Sequence, residues 1–172
     1  MKKDIIPIPE KTKSYYMRAA LGYAKKAAAD GEVPVGAVIV YAGHIIAGGR
    51  NRREKGKNAL YHAEIEAINK ACKKLGGWRL FDCDMYVTLE PCPMCSGAII
   101  NSRIRKVYIG AADAKAGCFG SVANVNDFGF NHKPETEFGV CEKQCSQILS
   151  DFFKELRNRK KKPQTDISPH NT

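Results

Sequence analysis

The sequence predicts an α/β sandwich built around one sheet, and three observations carry that prediction. The chain has 172 residues, the length of one domain and enough to bury one full core. Segments with apolar residues at helical spacing alternate with short apolar runs of strand length. No internal repeat and no linker separates them, so they form one layered unit.

Residues 1–13 are polar, carry Pro7 and Pro9, and read as a mobile N-terminal arm. Ser14 is placed to cap a helix from Tyr15 to Ala29, in which Met17, Ala20, Leu21, Ala24 and Ala28 recur at helical spacing. Asp30-Gly31 ends it. Val35 to Val40 is an unbroken apolar run and reads as a buried strand. Ala42-Gly43 turns the chain, and His44 to Ala47 returns as the second arm of a hairpin. Residues 50–57 form a polar loop with five basic residues and one acidic residue.

A second helix is expected from about Ala63 to Leu75, with Ile65, Ala67, Ile68 and Ala71 on its apolar side and Gly76-Gly77 closing it. Met85 to Leu89 is a strand. Residues 93–101 form a short helix, with Pro91 and Pro93 at its start. Val107 to Ile109 is a further strand. Residues 111–134 are rich in Gly, Asn and Asp and read as loop. A last helix covers roughly 142–158, with Ile148, Leu149, Phe152, Phe153 and Leu156 on one stripe. The domain therefore spans 14–158, and the basic tail 159–172 is expected to be disordered.

Composition narrows the function classes. Hydrophobic residues make up 44% and charged residues 27%, which excludes wholesale disorder. No apolar run approaches the ~18 residues of a membrane-spanning helix. Pro7 and Pro9 break the start too early for a secretory signal. The chain reads as a soluble, cytoplasmic protein with no membrane partner. Its net charge is +10; the 19 residues from Lys154 hold six basic and two acidic residues, or +4, which leaves +6 for the rest. A basic body favours polyanionic partners such as nucleic acid. Seven cysteines, an odd number, in a chain without a secretion signal point to reduced thiols and metal ligands rather than disulfides.

The residues that carry chemistry are His62-Ala63-Glu64 and Pro91-Cys92-Pro93-Met94-Cys95. Cys92 and Cys95, three apart at a helix start, direct their sulfurs to the same side. The positive end of the helix dipole lowers thiol pKa and favours the thiolate that a metal needs. His62 offers an imidazole from a second helix start. Two sulfurs and one nitrogen suit one Zn²⁺ per chain. A structural zinc has four protein ligands; three leave a fourth position for water, whose pKa zinc lowers from 15.7 towards about 7. Glu64 is then the group that takes the proton from the water and hands it on. His62 and Glu64 are two apart, which points them to opposite sides of a regular helix. Both reach one site only if His62 lies at the irregular first turn. Taken alone, a Cys-x-x-Cys is equally a redox pair, half a structural zinc site or two packed thiols, and a lone His-x-Glu is no signal. The combination His-x-Glu with Pro-Cys-x-x-Cys is the known signature of zinc-dependent nucleobase deaminases.

With these motifs in place, the sequence resembles the bacterial tRNA-specific adenosine deaminases. The resemblance runs from about Tyr16 to Leu156. It rests on Gly31 to Val38, Asn51, His62-Ala63-Glu64, Tyr86 to Cys92 and Ser96 to Ile99. It continues through Ser102-Arg103-Ile104, Gly110-Ala111, Asp113-Ala114-Lys115, Asn131-His132 and Phe152-Phe153. It implies a cytidine-deaminase-like fold: a three-layer α/β/α sandwich with a central mixed sheet of about five strands. It implies hydrolytic deamination of adenosine to inosine at the wobble position of tRNA, with an arginine-type anticodon loop as substrate. His62, Cys92 and Cys95 would hold zinc. Glu64 would protonate N1 of the base and pass protons to the departing ammonia. Asn51 and the backbone N–H of Ala63 would hold the base, and Asp113, Lys115, His132 and Phe152 would line the surface for the anticodon stem-loop. A homodimer is also implied.

One segment departs from the family. Where the family carries a Pro-Thr-Ala-type run before the zinc histidine, this chain has Asn58-Ala59-Leu60-Tyr61, and the bulky Tyr61 is expected to alter the pocket rim. Cys118, Cys141 and Cys145 lie outside the motif; a second metal on Cys141 and Cys145 is the alternative to buried free thiols, which are expected. Two other functions are set against the main one. A free-base deaminase acting on guanine or cytosine shares the metal motif but needs no basic surface. A non-catalytic RNA-binding subunit would lack the proton-shuttling glutamate, and Glu64 is present.

Overall fold

The computed structural model describes residues 10–161. Four helices and five strands follow one another as α1 (Glu10–Ala29), β1 (Gly36–Tyr41), β2 (His44–Arg50), α2 (Ala63–Leu75), β3 (Cys83–Leu89), α3 (Pro93–Asn101), β4 (Lys106–Ala111), β5 (Glu135–Phe138) and α4 (Glu142–Lys161). They build one mixed sheet in the order β2-β1-β3-β4-β5. β1 is antiparallel to β2 and β3, whereas β3, β4 and β5 run parallel.

The apolar runs read as buried strands have both faces covered, as a sheet between two helical layers requires. Side chains alternate across the sheet. Ile39, Met85, Val87, Val107 and Ile109 join Ala67, Ala71 and Ile99 of α2 and α3 in one core. Val38, Val40, Tyr86 and Tyr108 join Met17, Ala20 and Leu21 of α1 and Cys145 of α4 in the other. The result is the three-layer sandwich. α2 lies close against β2 because Gly49 has no side chain: a Cβ there would run into the Ala63 carbonyl and the Ala67 nitrogen. That approach seats the first turn of α2, the turn that matters for chemistry, on the sheet.

Several boundaries differ from the expectation. α1 begins at Glu10, so Ser14 lies inside the helix and is not its cap, and 10–13 are helical rather than part of an arm. α4 runs to Lys161, so 159–161 of the expected tail are helical; the rest of that tail, from 162, and the rest of the expected arm, 1–9, lie outside the described residues. α2 and α3 have the expected limits, and Gly76 closes α2 with a left-handed φ of 69°. The apolar stripe of α4 is only half used. Cys145 is fully buried and Ile148 packs on the core, whereas Phe153 and Leu156 remain 40% and 38% exposed.

β5 is the element that local pattern does not reveal. Its four residues, Glu-Thr-Glu-Phe, have exposed ends and no apolar run. It exists because its backbone pairs with β4 in parallel register, Lys106 facing Glu135 and Ile109 facing Phe138. Glu137 is bracketed by ammonium groups, Lys13 at 2.8 Å and Lys106 at 3.0 Å. Burial pushes its carboxyl up, but the two lysines outweigh this and hold it below the usual carboxylate range. Glu66 is held low as well: burial opposes, and the Arg50 backbone N–H, Lys70 and Arg52 prevail. Folded values below the unfolded value of about 4.3 mean that this stabilisation is complete above that pH and lost as pH falls through the folded values. Thermal melts across pH 5 to 3 should therefore show a falling Tm, with a shallower fall in Glu137→Gln.

Candidate metal centre and active site

The candidate catalytic residues sit where two helices begin. The chain leaves β3 at Leu89, passes Glu90 and Pro91, and enters α3 with Cys92 as N-cap and Pro93 in the first turn. His62 is the N-cap of α2, with φ −85° and ψ 155°, an extended residue ahead of the helix. This is the irregular first-turn position that lets His62 and Glu64 face one site. His62 Nδ1 lies 3.7 Å from Cys92 Sγ and 3.6 Å from Cys95 Sγ. All three donor atoms fall within 4.8 Å of one another, and among the described residues no other His, Cys or carboxylate group gathers in this way.

Charge at this centre is concentrated on one sulfur. A hydrogen bond from the Cys95 thiol, with support from His62, brings Cys92 down to about 4, against the effect of burial. The same bond and burial push Cys95 up. A thiol held low at a helix start is suited to binding a cation, and a bound metal would deprotonate its partner.

Glu64 stands beside this centre and is 3% exposed. Its Oε2 has no hydrogen-bond partner. Burial is the largest effect on it and, with the Cys92 sulfur adding to it, pushes the carboxyl up to about 7, while its own backbone N–H and His62 pull the other way. A buried carboxylate oxygen without a partner is costly in a structural role. It is suited to a group that gives and takes protons near neutral pH.

The pocket over the centre is lined by His62, Ala63, Glu64 and Cys92, with Asn51, Asp113 and the apolar Val33 and Leu89 around them. Asn51 is 8% exposed and is fixed at both ends of its amide. Its Nδ2 donates to the Val33 carbonyl and its Oδ1 accepts from the Arg53 N–H, each at 3.3 Å. Ala63 is fully buried at the first position of α2.

The comparisons with known proteins agree with this geometry. The MafB19-like deaminase family model matches residues 11–157. A tRNA-specific adenosine deaminase from Bacillus subtilis (strain 168) is 49% identical over 154 residues, 89% of this chain and 96% of that protein. The chain belongs to the tRNA-specific adenosine deaminase family. A solved structure from work on A-to-I editing by tRNA:A34 deaminases at the wobble position of transfer RNA is 41% identical, with a TM-score of 0.74 over 79% of this chain and 99% of that one. A guanine deaminase from Nitrosomonas europaea is 26% identical, with a TM-score of 0.66 over 86% of each chain. The cytidine-deaminase-like sandwich is thus shared beyond the tRNA-specific adenosine deaminases.

Not every residue that the family resemblance marks reaches the pocket of a single chain. Lys115 is exposed, and its N–H donates to Asp113 Oδ1 at 2.9 Å. His132 ties its loop to the connection between α3 and β4 through a 2.7 Å bond between Nε2 and the Ile104 carbonyl. Phe152 lies in a groove with Ala28 and Gly31 at the end of α1, and neither it nor Phe153 is fully buried. Tyr61 does not line this pocket. It packs against Gly56, and the Arg52 guanidinium lies 5.2 Å from its ring centre. Cys118 and Cys145 are buried free thiols and Cys141 is partly buried. Cys141 takes a left-handed φ of 55° before α4 rather than a helical place, and among the described residues no group of three or more possible ligands includes it or Cys145.

Two charged residues of the pocket were not singled out from the sequence. Among the described residues Arg53 is the only Lys or Arg that lines the pocket; it is one of five basic residues in a loop, with nothing local to distinguish it. Glu90 belonged to a recognised segment, but its role depends on a loop more than twenty residues further on.

Proposed function

We propose that this protein hydrolyses adenosine to inosine and ammonia at the wobble position of tRNA, in an arginine-type anticodon loop, with one Zn²⁺ per chain. The observation that carries the reading is the meeting of a three-donor cluster with a buried carboxylate whose Oε2 has no partner, in one pocket. The donors suit zinc. Tetrahedral coordination at about 2.3 Å to sulfur and about 2.0 Å to nitrogen separates N from S by about 3.5 Å. The separations here are 3.6 and 3.7 Å. His62, Cys92 and Cys95 would hold the ion. When bound, it supplies the Lewis acidity that makes water a nucleophile at neutral pH.

The remaining work falls to the chain itself. Glu64 accepts a proton from the attacking water, delivers one to N1 of adenine, and then transfers one to the leaving ammonia, so that water and adenosine become inosine and ammonia. Asn51, locked at both ends of its amide, holds the base edge, and the Ala63 N–H meets the reacting end. The target base must leave its stack to enter, which an RNA loop permits at low cost. Lys115, His132 and Phe152 lie beyond the pocket, as contacts for the rest of a polymeric substrate would. The net charge of +10 suits such a substrate, and a second copy of the chain is proposed to complete the RNA surface. No described helix is long and apolar enough to cross a membrane, and with a tRNA substrate the reaction is proposed to run in the cytoplasm.

The deciding assay gives zinc-loaded protein a synthetic arginine anticodon stem-loop with adenosine at the wobble site, beside free guanine and cytosine. Inosine in the RNA is the expected product. Turnover of a free base with the RNA unchanged would replace this reading with free-base salvage. Arg53, at the pocket mouth, is expected to meet a phosphate. Arg53→Ala should raise KM for the stem-loop and reduce the slope of log affinity against log salt by about 1, as binding titrations at several salt concentrations would show.

A further inference from the structure

We propose that Glu90 is a positioning residue for this reaction: a buried carboxylate that pins the 113–121 loop and so sets the pocket wall that receives the substrate. The proposal rests on the adenosine deaminase reading above. Glu90 is 2% exposed and sits between β3 and the metal-ligand segment. Its Oε1 accepts from the N–H of Phe119 at 2.9 Å and of Ser121 at 3.1 Å. Its Oε2 accepts from the Asp113 N–H at 3.0 Å and from the Ser121 hydroxyl. A carboxylate offers about four lone-pair sites, and the loop fills all of them with backbone N–H groups and one hydroxyl.

The loop closes tightly over this charge. A Cβ on Gly117 would run into the Glu90 carboxylate and the Asp113 carbonyl. The next residue, Cys118, donates its N–H to the Pro91 carbonyl at 3.0 Å, one residue from the ligand Cys92. Asp113 carries the order onward, accepting from the N–H groups of Lys115 at 2.9 Å and Ala116 at 3.3 Å. Asp113 and Ala116 line the pocket. The chain from β3 to the metal is therefore also the anchor of the wall.

The same device recurs on a second wall. Glu32 is 1% exposed and accepts from the N–H groups of Glu54 at 3.2 Å and Lys55 at 2.7 Å. That holds the loop bearing Asn51 and Arg53. Two loops, of which 113–121 also buries Cys118 and Phe119 in the core, are each fastened by a buried carboxylate through backbone donors. Such anchoring limits the ways in which a loop can be displaced, and preorganised walls lower the ordering cost of binding.

The test uses the full zinc-loaded chain with Glu90→Gln and Ser121→Ala. The glutamine keeps the shape of the side chain but turns an NH₂ group towards N–H donors that need an acceptor. Hydrogen exchange without substrate should show the amides of Phe119 and Ser121 exchanging at least about tenfold faster in Glu90→Gln. KM for the stem-loop should rise by about tenfold, with kcat per metal-loaded chain nearly unchanged and one metal per chain retained. Ser121→Ala should move both readouts the same way by less, and it decides the matter if Glu90→Gln fails to fold. Unchanged exchange, or activity that falls only in proportion to lost metal or folded protein at constant KM, overturns the proposal. If the wild type leaves the stem-loop unchanged, the functional reading fails separately. The exchange data then decide the pinning, with protection lost in Glu90→Gln supporting it and protection kept refuting it.

Discussion

Glu64→Gln is expected to lower kcat for stem-loop deamination by about 10² to 10⁴, the usual contribution of a positioned proton carrier, while the protein keeps one metal per chain. The expectation follows from how Glu64 is placed. Its Oε2 has no partner, so it braces no neighbouring element through that atom. The amide has nearly the same volume and leaves the first turn of α2 intact, so the ligand His62 stays where it is. What the amide removes is the ability to accept a proton from water and return it to the base. The unpartnered buried oxygen is a cost in the resting protein, and replacing a charge-bearing group there with a neutral one should leave the melting temperature unchanged or higher. Metal analysis, melting temperature and single-turnover assays on the same preparation separate these effects. Loss of metal together with activity would make Glu64 a structural support of the centre instead.

Cys95→Ala should abolish both metal retention and turnover. Cys95 is fully buried in the first turn of α3, and its Sγ lies 3.6 Å from His62 Nδ1. Without it only two donors remain, from two separate helix starts, too few for the three-donor centre that the reaction needs. The variant also loses the thiol that stabilises the charge on Cys92, so the remaining sulfur is a weaker donor near neutral pH. The expected result is protein that dialyses to less than stoichiometric metal, shows no inosine formation, and melts at one temperature with or without added zinc. Wild-type protein should melt higher with zinc, because ligand that binds only the folded state stabilises it by mass action. A Cys95→Ala protein that keeps its metal and its activity would remove this cysteine from the centre.

The contrast between these residues and the outer contacts has a physical origin. Helix α2 could be delimited from sequence because its apolar period, its closing glycine and the extended residue before it act within a few residues. The candidate metal donors could be read because two cysteines three apart at a helix start are a local arrangement, and chemistry restricts which residues can complete it. Phe152 and His132 carried no such restriction. An aromatic on a helix stripe and a histidine in a loop serve equally as packing, as a loop tie or as a substrate contact. The fold places His132 against the Ile104 carbonyl and Phe152 in a groove with Ala28 and Gly31. Tyr61 shows the same limit: its size was evident, but its direction depends on the space left by Gly56 and on Arg52.

The sequence by itself determined the α/β class, the limits of α2 and α3, the three donors and the carboxylate beside them. Each of these follows from periodicity, helix-end chemistry or ligand identity over a short stretch. Tertiary structure alone decided that Glu10 to Lys13 continue α1, that four polar residues form β5, that Arg53 is the cation at the pocket, and that Glu90 anchors a wall. These features depend on partners distant in the chain. β5 has no strand pattern without the backbone of β4, and Glu90 has no role without the four donors that the 113–121 loop brings to it. Local sequence encodes which conformations are cheap, whereas pairing across the fold decides which polar groups are satisfied and therefore which loops stand still.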